Sequence, residues 1–145
     1  MDLVNAMNTS SSGLSAERTR MNLISSNLAN ANTTRTPEGG PYKRKDAVFT
    51  ATPATDSFGR ALAGAAGREL REVRVSAIVE DQRQPRMQYD PSHPDADQQG
   101  YVAMPNVNVV EEMADMITAT RVYDANVMAA QAAKNMALKT LELSK

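Results

Sequence analysis

Residues 109–143 read VVEEMADMITATRVYDANVMAAQAAKNMALKTLEL, and the run contains neither Gly nor Pro. Ala recurs throughout it, and at 1.5 Å per residue an unbroken helix here is a rod of roughly 50 Å. Val109, Met113, Met116, Ile117, Tyr123, Val127, Ala130, Ala137, Leu138 and Leu141 return at helical spacing and predict one apolar face. Just upstream, Pro105 and Asn106 lead into Asn108, an N-cap with Glu111 three positions later in an Asn variant of the capping box. Glu111 and Glu112 also set negative charge at the positive end of the helix dipole. The stripe recurs close to every seven residues, in the registers 109, 116, 123, 130, 137 and 113, 120, 127, 134, 141. Thr120 and Lys134 interrupt the second register, so a strict two-stranded zipper is a poor fit. Val110, Ile117 and Leu138 widen the arc, which argues for contacts with more than one neighbour.

The opposite end of the chain carries a second stripe of Leu3, Met7, Leu14, Met21, Ile24 and Leu28. It predicts a helix from Asp2 to about Thr34, stopped at Thr36-Pro37. Its exposed positions are Ser, Thr and Asn, mediocre helix formers, and Gly13 costs about another 1 kcal/mol relative to Ala. The segment is expected to become helical when neighbouring helices bury its stripe. The plainest use of two such stripes is to pack on each other within one chain. The breadth of the C-terminal arc adds further neighbours, so the expected function is assembly.

Between the helices the sequence is rich in turns. Gly39-Gly40-Pro41 makes a turn, a short apolar alternation lies near Val48 and Phe49, and a low-complexity run spans Gly59 to Gly67. Val73, Val75, Ala77 and Val79 alternate with Arg74, Ser76 and Ile78, a strand pattern in which Ile78 is the imperfection, and Arg86 to Tyr89 is a second candidate strand after Gln84-Pro85. The expected class is therefore mainly α with a small β unit: long terminal helices paired as a coiled-coil-like arm around a short β-rich centre. The expected division is 1–35 for the N-terminal helix, 36–105 for the centre and 106–145 for the C-terminal helix.

Composition excludes several kinds of function. Aromatics are 4% of the chain, with no Trp, and net charge is −1, which offers no general attraction to nucleic acid or anionic lipid. With no Cys, disulfides, thiolate nucleophiles and Cys-type metal sites are ruled out. No apolar stretch approaches the roughly 20 residues that span a bilayer. The first sixteen residues hold no Lys or Arg and lack the apolar run of a cleavable signal.

Residue clusters that could carry chemistry have plainer explanations. Asp90, His93, Asp95 and Asp97 lie together in a Pro-rich loop, and the run from Asp95 to Gly100 starts like a calcium loop. Its fifth position is Gln99 and its twelfth is Asn106, where a bidentate Glu is required, so turn geometry explains the loop better. Ser15 follows Gly13 at the offset of a nucleophile elbow, but Glu17 stands at the closing position and the context is helical. Lys43-Arg44-Lys45 beside Tyr42 reads as a solvated loop or a protein contact. Neither an enzyme, a cofactor, a small-molecule substrate nor a metal site is expected.

The motifs themselves carry a resemblance. Ser12-Gly13-Leu14-Ser15-Ala16, then Arg18, Arg20-Met21-Asn22 and Ser26-Asn27-Leu28-Ala29-Asn30, resembles the N-terminal signature of bacterial flagellar rod and hook proteins. The run from Ala31 through Asn32 to Thr36, then Gly39-Gly40-Pro41-Tyr42, is similar to proximal-rod members of that family. So are Tyr89-Asp90-Pro91-Ser92-His93-Pro94-Asp95-Ala96 and the stretch from Gly100 through Pro105, Asn106 and Asn108 to Met113. The resemblance implies a structural subunit of the basal-body rod that transmits torque. It implies export, unfolded and without a cleaved signal peptide, by the flagellar type III apparatus, and polymerisation in the periplasm. The implied partners are other rod subunits and the rod-base adaptor, with no nucleic acid and no direct membrane insertion. On this reading Met116→Asp should spare export and abolish assembly. A reading from another class is a small cytosolic coiled-coil adaptor or regulator that binds partner helices.

Overall fold

The computed structural model describes residues 2–53 and 71–143, with side chains over 6–53 and 71–142. Two long helices dominate: α1 (Asp2–Ala29) and α2 (Val109–Leu143). Between them come strands β1 (Lys45–Pro53), β2 (Arg71–Glu80), β3 (Arg86–Tyr89) and β4 (Tyr101–Met104). The helices pack antiparallel: Asn27 meets Glu112, Arg20 reaches Asp115 at 3.9 Å, and Gly13 lies against Asn126. The architecture is thus mainly α with a small β unit, as the sequence patterns anticipate. The low-complexity run Gly59 to Gly67 lies outside the described residues.

α1 ends at Ala29, short of the expected Thr34. Asn30, rather than Thr36-Pro37, closes it. Its main-chain N–H and its side-chain amide both donate to the Ser26 carbonyl, at 3.1 and 2.9 Å, and Ala31 N–H donates to the Leu28 carbonyl at 3.3 Å. These bonds tighten the last turn and satisfy carbonyls that a helix end leaves open. The chain then folds back through Gly39 and Gly40, whose φ values of 92° and 76° are in the left-handed region that favours glycine. At α2 the Asn108 side chain caps as expected, its Oδ1 accepting the Val110 N–H at 3.1 Å. Glu111, the expected box partner, is exposed, and Glu112 turns inward instead.

β1 and β2 form an antiparallel ribbon packed beside α1; Ser12 Oγ accepts the Val73 N–H at 3.1 Å. The register shifts between Val48 and Phe49, because Val48 faces Ala77 while Phe49 faces Val75. Ser76 is therefore the extra residue of a β-bulge, and its hydroxyl donates to the Val48 carbonyl at 3.0 Å. The bulge explains the imperfect alternation. Val73 and Val75 are half-covered beside α1, the phase inverts at Ser76, and Ile78, paired with Ala47, takes the face of Val75 and Phe49 while Ala77 and Val79 take the other; Ile78 and Val79 are both about half exposed.

β3 and β4 make a second antiparallel hairpin, and Val102 in β4 is 1% exposed. The sequence reading missed β4, which at four residues is too short to show an alternating pattern. Beyond Val102, the buried apolar side chains among the described residues are Ala16, Ile24, Ala31, Pro105, Ala119 and Ala133. The core is a narrow seam of small residues along two rods.

Candidate assembly site

The residues expected to form one apolar face on α2 fall on two. Met116, Tyr123, Val127, Ala130 and Ala137 turn toward α1 and are partly covered. They share that side with Glu112, Ala119, Asn126 and Ala133, so the covered registers are 112, 119, 126, 133 and 116, 123, 130, 137. The expected register 113, 120, 127, 134, 141 is mostly outside: Met113, Thr120, Lys134 and Leu141 are exposed, with Val127 alone half-covered. The reason is size and polarity. α1 approaches closely where Gly13 meets Asn126, and a Cβ on Gly13 would lie 3.1 Å from the Asn126 side chain, so small residues are selected along that line.

The bulky side chains of α2 are left to solvent. Val109, Val110, Met113, Ile117, Met128, Met136, Leu138 and Leu141 are between 42% and 76% exposed. Val110, Met113 and Ile117 lie three and four positions apart and form one ridge over the first two turns. On α1, Ile24 is buried, Leu14, Met21 and Leu28 are half-buried, and Met7 is exposed; the Leu3 side chain lies outside those described. The open positions of α1 are Asn8, Ser11, Ser15, Arg18, Asn22, Ser25 and Ala29, alternating three and four apart, a shallow stripe of mainly small polar residues. Met116 belongs to the seam with α1, so Met116→Asp disturbs the subunit itself and Ile117 is the cleaner probe of the outer face.

Where the helices meet the β unit, a polar joint is sealed from water. Asn27 is 0% exposed and Glu112 is 1% exposed, the two buried polar residues among those described. The Asn27 amide donates to the Lys45 carbonyl at 2.9 Å and to Glu112 Oε2 at 3.0 Å. Its Oδ1 accepts the Lys45 N–H at 2.9 Å and the Tyr42 hydroxyl at 3.0 Å. All four hydrogen-bonding positions of this Asn are used. Glu112 Oε1 accepts from Arg44 Nε, and the guanidinium also reaches Asp46 at 3.2 Å and Asp115 at 3.7 Å. Burial on its own would lower the Arg44 pKa. The hydrogen bond and charge of Glu112, then those of Asp46, outweigh burial and hold it above its ordinary value. Arg44 is therefore a buried-side ion-pair partner rather than part of a solvated basic run; Lys43 is exposed and Lys45 pairs with Glu80 at 3.5 Å.

The remaining motif residues build turns. Asp90 Oδ1 accepts both the N–H and the hydroxyl of Ser92, at 3.1 and 2.6 Å, and these bonds hold its carboxyl below the usual range. His93 Nδ1 accepts the Asp95 N–H at 3.1 Å, and Asp95 accepts the Thr34 hydroxyl at 2.7 Å, fastening this loop to the segment after α1. Asp97 Oδ1 accepts the Gln99 and Tyr101 N–H groups, each at 2.8 Å. Gly100, at φ +81°, lets Tyr89 and Pro91 close over it; a Cβ there would come within 3.1 Å of both. Tyr89 and Tyr101 meet edge to face, with ring centres 5.3 Å apart. Pro105 is buried beneath the start of α2, while Pro91, Pro94 and Asn32 are exposed and Asn106 half-covered.

The sequence reading missed the joint as a unit. Its signal was an Asn, a Tyr-x-Arg and a Glu spread over three segments, which no local periodicity connects. Among the described residues, no helix is long and apolar enough to cross a membrane, and no group of three or more His, Cys, Asp or Glu could hold a metal ion.

Comparison with known proteins agrees with this architecture. The family profile described as "Flagella basal body rod protein" matches residues 7–35, and "Flagellar basal body rod FlgEFG protein C-terminal" matches residues 98–143. The chain is 41% identical to the flagellar basal-body rod protein FlgC of Bacillus subtilis over 100% of both chains. It is also 41% identical to FlgC of Borreliella burgdorferi, over 94% of this chain and 93% of the relative. Against FlgC of Salmonella typhimurium it is 40% identical, over 99% of this chain and 98% of the relative. The paired helices with a small β centre are thus those of a structural subunit of the bacterial flagellum, and the chain belongs to the FlgC family of flagellar basal-body rod proteins.

Proposed function

We propose that this subunit joins the rod by laying the outward apolar ridge of α2 against helices of neighbouring subunits, with the open stripe of α1 as the complementary surface. The observation that supports it is the amphipathicity of α2, which keeps Val110, Met113, Ile117, Met128, Met136 and Leu138 exposed on the outside while Met116, Tyr123 and Val127 turn to the partner helix inside the chain. A bulky ridge and a shallow stripe on different sides of one molecule make a heterologous contact, which generates a helical tube when it does not close into a ring. At about 25 cal/mol per Å² of apolar area, burial of each Met, Val or Ile adds on the order of 2 kcal/mol, so several along one ridge stiffen the tube. The terminal helices then form an inner layer and the β unit a separate surface, following the division 1–35, 36–105 and 106–145.

The neighbours are other rod subunits and the rod-base adaptor. The chain reaches the periplasm unfolded, through the flagellar type III apparatus and without signal-peptide cleavage, and it performs no catalysis. The cytosolic adaptor reading is not favoured, because relatives of nearly equal length are rod proteins. Ile117→Asp tests the proposal: the purified chain should melt within about 0.5 kcal/mol of the parent, since the site is exposed. Cells carrying it should export the subunit, with its mass unchanged, yet yield no rods on isolation of basal bodies. Normal swimming by that strain would overturn the assignment of this face.

A further inference from the structure

We propose that Asn27 sets the alignment of α1 along α2, and so fixes where the outward faces of the two helices lie relative to each other. The seam between them is poorly equipped to set its own alignment. Among the described residues, its buried apolar side chains are Ala16, Ile24, Ala119 and Ala133, and Ile24 is the bulky one fully covered there. The larger side chains of the seam other than Ile24, among them Met21, Met116 and Tyr123, are only partly covered, so apolar packing opposes a slide of one turn only weakly. The Gly13 notch tolerates adjustment, since its close contact is with the end of the Asn126 side chain.

Asn27 does not tolerate a slide. Its amide is shared between Lys45 and Glu112 and its carbonyl oxygen between Lys45 and Tyr42, and it is wholly sealed from water. A displacement of one turn, about 5 Å, would take Glu112 off the Asn27 amide, leaving one Asn27 N–H unmet and the Glu112 carboxylate buried without that donor. Arg44 completes the restriction. It holds the other Glu112 oxygen from the segment entering β1, so the helix alignment is referred to the β unit and not only to α1. Buried polar groups whose partners exist in one arrangement alone are suited to specify alignment. The proposal concerns the free chain and stands whether or not the outward faces dock.

The chain has no Cys, so two labels can be introduced cleanly at the exposed positions Ser11 and Glu111 by changing each to Cys. These lie about 25 Å apart along the paired helices. Spin-label distance measurement on the full chain should give one narrow separation for the parent. Asn27→Leu should add a population displaced by about 5 Å with the helical circular dichroism retained. The triple variant Asn27→Leu, Arg44→Met, Glu112→Met removes the buried carboxylate, its cation and the amide together, so that only the Lys45 main-chain N–H and C=O and the Tyr42 hydroxyl lose a bond, and it decides the matter even if the single variant fails to fold. It should melt no lower than Asn27→Leu, keep its helical circular dichroism and still show more than one separation. A single parent-like separation in the triple variant would overturn the proposal. Loss of its helical signal would overturn it too, because the joint would then hold up the fold rather than choose the alignment.

Discussion

The two faces of α2 reverse the usual arrangement of a surface helix. The face turned to α1 is made of Glu112, Met116, Ala119, Tyr123, Asn126, Ala130 and Ala133, while the face turned to water carries Val110, Met113, Ile117 and Met128. In a helix whose only task is to close its own globule, the larger apolar residues face inward. Here the inner face is chosen for close approach and for hydrogen bonding, and apolar area is kept on the outside. The difference separates two demands on one rod: a specific partner within the chain, and adhesive area beyond it.

The sharpest way to break this contrast is at Glu112 and its neighbour. Glu112→Ala takes the buried partner from Arg44, which keeps Asp46 and Asp115, and from half of the Asn27 amide, and should cost about 3 kcal/mol in urea unfolding. Glu111→Ala, one position away on the exposed side, should change stability by less than about 0.5 kcal/mol. Equal effects would mean that the two faces are energetically alike. A smaller effect is expected from size alone. Ala119 is 0% exposed, and Ala119→Leu should overpack the seam and cost about 1–3 kcal/mol. Val110, 76% exposed, should be replaceable by Ala within about 0.5 kcal/mol, read from the same denaturant curves.

The smallest effect extends the contrast to an acid on the surface. Ser92 holds the Asp90 carboxyl below its ordinary value, so the charged form is favoured by the folded loop. Its contribution is complete above the unfolded carboxylate range and fades as pH falls through the lower folded value. Carboxyl carbon resonances should show Asp90 titrating at higher pH in Ser92→Ala than in the parent, with α1 and α2 unmoved. An unchanged midpoint would remove Ser92 as the cause.

Periodicity made the elements legible but not their facing. The Gly- and Pro-free run of α2, the Asn108 cap and the Val-rich β2 all show in local sequence, because each is decided by residues within a few positions. The split of the α2 stripe was not legible, since Met113 and Met116 look alike until the neighbour is known to approach at Gly13. Likewise Arg44 reads as one of three like charges, and only the extended backbone entering β1 sends it inward while Lys43 stays in water. Ser76 hid the phase change in β2 for the same reason: a bulge is defined by the partner strand. Asn27 was recognisable as part of a motif, yet its four bonds depend on segments far along the chain.

The bond from Asn27 to Glu112 joins positions 85 apart in sequence. Closing so long a loop carries an entropic cost that nothing local repays, and contacts of this separation form slowly. A chain emerging from the ribosome N-terminus first therefore makes α1 long before the residue that completes it exists. Until Glu112 and the helix behind it have been synthesised, the earlier three-quarters of the protein cannot close its own seam. Late completion is thus written into the topology: the seam cannot close until synthesis is nearly finished, which leaves an interval in which the chain is still open to capture.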